Sequence, residues 1–323
     1  MLSSLPMHAL RLTAARDGQA LAITYVEIAR ELAGGAQTTL LEVYMPLDAA
    51  SGTRMPRPGE TVVRRFDAHP GHLAPRTPLD LRGVHECVAR RSALELPATD
   101  GRAARLLLPL AGDGNPRRVL VIEAAAPVPA VRVALFQLSE IFANQSQLID
   151  QRERDVLTGL LNRQALTQRF MHMLPITPAA PQSLWLAVLD LDHFKRVNDS
   201  HGHLIGDEVL LHTARLMESV FRFTDALFRF GGEEFVVLML SDENGAQVAL
   251  ERFRARVASH AFPRVGAVTV STGYTRVDPG MLPPVAIDIA DQALYEAKRS
   301  GRNRVVRGVG ASGHALAGEV EMF

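Results

Sequence analysis

The sequence predicts a mixed α/β (α+β) protein of two domains joined by a helix, and three observations predict it. The chain has 323 residues, more than one hydrophobic core ordinarily serves and about right for two. Helix-period and strand-period apolar patterns alternate through both halves. Between the halves, Val131, Leu135, Leu138, Phe142, Gln145 and Ile149 recur at alternating steps of four and three. That spacing is a heptad seam, and it fits either a coiled coil or an amphipathic helix lying on its own domain. The expected plan is a first domain over 1–130, a signalling helix over 131–154, a second domain over 155–307 and a disordered tail over 308–323.

In the first domain, 24–35 has helical spacing and a glycine stop, and 38–46 reads as a strand. A Gly/Pro/Arg-rich stretch from Ala49 to Pro78 reads as loops around a pocket or an exposed sheet edge, with one short strand over 61–68. A helix over 83–92 follows. Strands over 105–111 and 117–125 are then joined by a Gly-Asp-Gly-Asn turn. In the second domain, helices are expected over 162–174, across a segment containing 207–222, over 244–259 and over 285–299. Strands are expected over 183–192 and 267–277. A hairpin over 226–240 has Gly231, Gly232, Glu233 and Glu234 at its tip.

Composition narrows the function classes. Lys plus Arg equals Asp plus Glu at 35 each, so no global charge points to nucleic acid or to an acidic membrane surface. Cys87 stands alone, which excludes an internal disulfide and a multi-cysteine metal site. No stretch reaches the roughly 18 to 20 apolar residues that span a bilayer, and the N-terminal segment lacks the apolar core and cleavage site of a secretory signal. A cytoplasmic location is expected.

The chemistry lies in the second half. Asp190 and Asp192 stand at the end of an apolar strand and Glu233 and Glu234 at a hairpin tip. Side by side, these edges make a carboxylate cluster suited to Mg²⁺, which takes one or two carboxylates and fills its octahedron with water and phosphate oxygens. Gly231 and Gly232 clear space for a bulky ligand. Lys298 and Arg302, four residues apart at the end of a helix, are spaced to contact one polyphosphate. No GxxxxGK[ST] or GxGxxG is present, so a phosphate would be held by magnesium and side-chain cations.

Five ordered segments, DVLTGLLNR (155–163), DLDHFKRVND (190–199), HGHLIGD (201–207), GGEEF (231–235) and YEAKRSGRN (295–303), resemble the signatures of the GGDEF family of diguanylate cyclases. The resemblance implies a central antiparallel-containing sheet wrapped by helices, like the nucleotidyl-cyclase palm. It implies condensation of two GTP molecules into cyclic di-GMP with two pyrophosphates, with Mg²⁺ as cofactor and Mn²⁺ as a substitute. Position by position, Asp190, the Leu191 carbonyl and Glu233 would hold the metal, and Glu233 or Glu234 would assist deprotonation of the ribose 3′-hydroxyl. Asn198 and Asp207 would bind guanine, with His203 in the same segment. Phe194 and Lys195 would line the phosphate side, and Lys298 with Arg302 would bind the terminal phosphates. Asp155 and Arg163 would fix how the preceding helix joins the domain. Arg222 and Asp225 lie where the family carries its product-inhibition motif.

The first half resembles, by order of elements alone, a GAF sensory domain with an unread small-molecule or protein signal. His85 and Cys87 suggest a haem ligand pair or, more blandly, core packing. A homodimer is implied, since each domain would carry one GTP of a two-fold product. The alternative function is a catalytically inactive module that binds GTP or cyclic di-GMP as a receptor. A polymerase-like role is excluded by size and by the absence of a basic track for a template.

Overall fold

The computed structural model describes residues 5–44, 62–67, 81, 83–99, 103–110, 117–123, 129–173, 182–222 and 224–309, which divide between two compact units, Met1–Arg152 and Glu153–Phe323. In the first unit, a helix that the sequence reading did not anticipate, α1 (Leu5–Thr13), precedes α2 (Gly18–Leu32). Helix α2 starts earlier than its apolar spacing suggests because Asp17 accepts a hydrogen bond from the Ala20 amide and caps it. Strands β1 (Gln37–Tyr44), β2 (Val62–Asp67), β3 (Leu94–Leu96), β4 (Arg105–Pro109) and β5 (Arg117–Glu123) form one sheet in the order β2-β1-β5-β4-β3. Every pairing in it is antiparallel. The Gly-Asp-Gly-Asn turn, the tail from 310 onward and most of 49–78 lie outside the described residues.

Helix α3 (Val84–Arg90) covers part of one face of this sheet, where Cys87 packs with Leu41, Val43, Leu107, Val119 and Val121. Burial pushes the Cys87 thiol up to about 11, so it is an inert apolar group. His85 is exposed while Cys87 is buried, and the haem reading is thereby corrected: on α3 the two side chains do not share one environment.

Helix α4 (Pro129–Glu153) resolves the ambiguity of the heptad seam. Val131, Leu135, Leu138, Phe142 and Ile149 all join the first unit's own core, with Leu21, Tyr25, Ile28 and Leu120. The Tyr25 hydroxyl donates to the Leu135 carbonyl at 3.0 Å, and the Gln145 amide donates to the carbonyls of Thr13 and Ala15. The seam is therefore a docked amphipathic face. As a coiled-coil surface it is corrected, because its residues are already covered. The outward side of α4 carries Val133 and Phe136, 58% and 61% exposed.

In the second unit, β6 (Leu161–Asn162), β7 (Ser183–Leu191), β8 (Ala226–Gly231), β9 (Glu234–Ser241), β10 (Val270–Val277) and β11 (Val305–Arg307) form a six-stranded sheet. Its order is β11-β10-β7-β9-β8-β6. The four central strands are antiparallel, and short parallel strands close each edge. Strand β7 is buried from Leu184 to Leu191, as a central strand covered on both faces must be. Helices α6 (Phe194–His201), α7 (His203–Val220) and α8 (Glu243–Ala258) contribute to the core on one face. Helices α5 (Arg163–Met173) and α9 (Pro283–Arg299) contribute to that on the other. The helix expected to contain 207–222 is α7, which starts at His203 and ends at Val220; α6 precedes it, and the two are broken at Gly202, whose φ of 83° favours glycine.

Candidate active site

Central pairing brings the two acidic edges together. Asp190, near the end of β7, lies opposite Glu234, the first residue of β9, and the Leu191 amide donates to the Glu233 carbonyl at 3.4 Å. Asp190 is buried, and Lys298 Nζ stands 2.8 Å from its Oδ2. Burial pushes the Asp190 carboxyl up and Asp192 adds to this; the Lys298 hydrogen bond and charge oppose without cancelling it. Glu233 is likewise raised by burial, then by the negative charges of Asp190 and Glu234. Two acids pushed up in one place mark a site short of positive charge, and a hard divalent cation relieves that shortage. Among the described residues no group of three or more His, Cys, Asp or Glu could hold a metal ion. Asp190 and Glu233 offer hard oxygen donors that fit a divalent cation whose remaining positions are taken by water and substrate oxygens.

Asp192 departs from the expected cluster. Its Oδ1 accepts from the Ser271 hydroxyl at 2.7 Å, and its Oδ2 accepts from the Thr269 hydroxyl at 2.6 Å and the Asn303 amide at 3.0 Å. It is buried, and these three donors hold the carboxylate toward β10 and the turn after α9. The strand-end spacing could not distinguish this from a metal ligand.

Asn198 on α6 lies against Gly206 on α7, where a β-carbon would overlap Asn198 Oδ1, and Asp207 follows Gly206 on that helix. The Asn198 and Asp207 side chains are half-buried, and His203 is exposed at the start of α7. Lys195 is exposed, whereas the Phe194 ring sits in the core, so any contact from Phe194 is made by its backbone.

Lys298 and Arg302 do not share a helix face as their spacing suggests. Helix α9 ends at Arg299, and Arg302 lies beyond it with φ of 61°. Both cations nevertheless act on Asp190, lowering its carboxyl. The depth of α9 is set at Gly273 on β10, where a side chain would overlap the Ala290 carbonyl and the Leu294 amide. This close approach brings the last turn of α9 down onto the end of β7.

Arg222 and Asp225 form a tight turn after α7: the Arg222 amide donates to Asp225 Oδ2 at 2.7 Å, and the Asp225 amide donates to the Arg222 carbonyl. Asp225 is buried and the Arg222 side chain exposed. A residue missed by the sequence reading joins them. Arg252 on α8 donates to the Val220 carbonyl at 2.6 Å and so brings a second guanidinium to the same turn. Its only sequence signal is its phase on α8.

Residues 152–304 match the family described as diguanylate cyclase, GGDEF domain. Diguanylate cyclase DgcP of Pseudomonas aeruginosa is 45% identical over 171 residues, covering 50% of this chain and 25% of DgcP. Diguanylate cyclase DgcZ of Escherichia coli is 41% identical over 155 residues, covering 46% of this chain and 51% of DgcZ. The chain thus spans about a quarter of one of these curated relatives and about half of the other. Among solved structures, the diguanylate cyclase SiaD of Pseudomonas aeruginosa, in complex with its activator SiaC, is 38% identical with a TM-score of 0.51, covering 55% of this chain and 70% of SiaD. With all five signature segments inside the matched span or overlapping it, the chain belongs, through residues 152–304, to the GGDEF family of diguanylate cyclases.

Proposed function

We propose that the protein condenses two GTP molecules into cyclic di-GMP, releasing two pyrophosphates. The observation that carries this reading is the pairing of the β7 end with the β9 start, which places Asp190 beside Glu233 and Glu234 with Lys298 on their border. Asp190, Glu233 and the Leu191 carbonyl would hold magnesium, which would supply Lewis-acid polarisation and charge neutralisation. The chain's own groups do the rest. Asn198 and Asp207 orient guanine, and Lys298 and Arg302 draw the terminal phosphates. Glu233, whose carboxyl is pushed up by burial and then by its acidic neighbours, or Glu234 accepts the proton of the 3′-hydroxyl.

Each domain presents one such half-site, so a two-fold product calls for a second copy of the chain. The exposed Val133 and Phe136 on α4 supply an apolar surface for it. A GAF-like sensory role for the first unit, and product inhibition at Arg222 and Asp225 with Arg252 beside them, complete the proposal. Among the described residues no helix is long and apolar enough to cross a membrane. The test is magnesium-dependent consumption of GTP by the purified protein, compared with Glu233→Gln. Loss of turnover in a variant that keeps its melting temperature supports the assignment, and undiminished turnover refutes it.

A further inference from the structure

The turn that carries Arg302 is strained and must be held from outside. Gly301, Arg302 and Asn303 have φ of 111°, 61° and 46°, so two consecutive residues with side chains adopt the left-handed region. The left-handed region is unfavourable for residues with side chains, and the conformation persists only where the surroundings over-determine it. The Arg302 amide returns to the Ala297 carbonyl at 3.0 Å, and Arg254 Nη1 donates to Asn303 Oδ1 at 3.0 Å. Arg304 Nε donates to the Arg302 carbonyl at 3.2 Å, and the Asn303 amide donates to Asp192 Oδ2 at 3.0 Å. Asp192 is itself fixed by the Ser271 and Thr269 hydroxyls and by its own amide, which donates to the Thr269 carbonyl at 2.8 Å.

We infer that Asp192 is a positioning residue for the polyphosphate side of the site. Its buried carboxylate holds the 301–303 turn in the left-handed conformation that presents Arg302 beside Asp190 and Lys298. This rests on the GTP reading above. The two acids of the DLD segment then divide the labour: Asp190 faces metal and substrate, and Asp192 faces away and builds the turn that supplies a cation to the same phosphates. A charge-assisted acceptor suits the task, because a buried amide left without its partner carries the full desolvation penalty.

The test measures binding of 3′-deoxy-GTP, which lacks the attacking hydroxyl and is not turned over, and of GMP, which lacks the terminal phosphates. Both are measured with Mg²⁺ on the full chain carrying Asp192→Asn, Arg302→Ala or both. Asp192→Asn is expected to weaken 3′-deoxy-GTP about tenfold, the loss of one hydrogen bond to a charged group, and to leave GMP unchanged. Adding Asp192→Asn to Arg302→Ala is expected to cost nothing more. Equal loss for both nucleotides, a double variant whose loss is the product of the single ones, or Asp192→Asn binding like the wild type would each overturn the inference. A wild type that binds 3′-deoxy-GTP no better than GMP would overturn the GTP reading itself. Should Asp192→Asn not fold, Thr269→Val keeps the charge, removes one donor that fixes the carboxylate, and is expected to show a smaller loss confined to 3′-deoxy-GTP; equal loss for both nucleotides or none would overturn the inference.

Discussion

Arg229 joins Asp155 to the β8–β9 hairpin: its Nη1 lies 3.1 Å from Asp155 Oδ1, while its Nε and Nη2 donate to the Gly232 carbonyl at 3.1 and 3.0 Å. One guanidinium therefore ties the turn that opens the second unit to the backbone immediately before Glu233. Burial pushes the Asp155 carboxyl up, but hydrogen bonds from the Thr158 hydroxyl and amide and from Arg229 outweigh it and hold the group below its ordinary value.

That direction fixes a pH dependence. An acid with a depressed folded pKa contributes stability that is present above its unfolded value and lost as pH falls through the folded one. Asp155→Asn is expected to destabilise the protein by about 1–2 kcal/mol at neutral pH and progressively less as acid protonates the wild-type carboxyl. Denaturant midpoints of both proteins from pH 7 down to pH 3 check this; a constant gap would assign the effect to packing. Activity should also fall, because the Gly232 carbonyl loses the fixed position of its partner.

Base preference follows from Asn198 and Asp207. With adenine they would lose paired hydrogen bonds and leave half-buried polar groups unsatisfied, so ATP is expected to react slower than GTP by roughly a hundredfold or more. Asn198→Ala should raise KM for GTP with less effect on kcat. Comparable kcat/KM for the two nucleotides in steady-state assays would contradict the base assignment.

Product control is expected at the turn after α7. Arg222→Ala should leave the initial rate unchanged and lengthen the progress curve, since the exposed guanidinium is suited to bidentate contact with a phosphate or a guanine edge. Curves that flatten at the same cyclic di-GMP concentration in both proteins would reduce the motif to a local ion pair.

Assembly separates the two faces of α4. Leu138→Glu buries a charge in the core beside Tyr25 and should unfold the first unit. Replacing the exposed Val133 and Phe136 with Ser should leave folding intact, shift mass in solution toward monomer and make specific activity fall on dilution. A variant that stays dimeric would place the second copy elsewhere.

Much of this site was legible because its chemistry rests on residue types at strand ends and turns. Asp190 at the close of an apolar strand and Glu233 at a hairpin tip are placed by period-two patterning and turn chemistry alone. Asp192 was not legible, since side-chain identity does not reveal which neighbours a carboxylate faces. Arg302 was misread because four-residue spacing implies one helix face only while the helix continues, and α9 stops at Arg299. The seam on α4 was ambiguous for a related reason: steps of three and four serve a second chain and a helix's own core equally well. Tyr25, 110 residues away, accounts for the outcome.

Asp190, Glu233 and their cations are proposed to serve phosphoryl transfer between two GTP molecules. The most direct test incubates the purified protein with GTP and Mg²⁺ and quantifies nucleotide product and pyrophosphate together. One cyclic di-GMP for every two pyrophosphates, abolished by Asp190→Asn, is the expected result. Tight GTP binding with no product, or a linear dinucleotide, would contradict it.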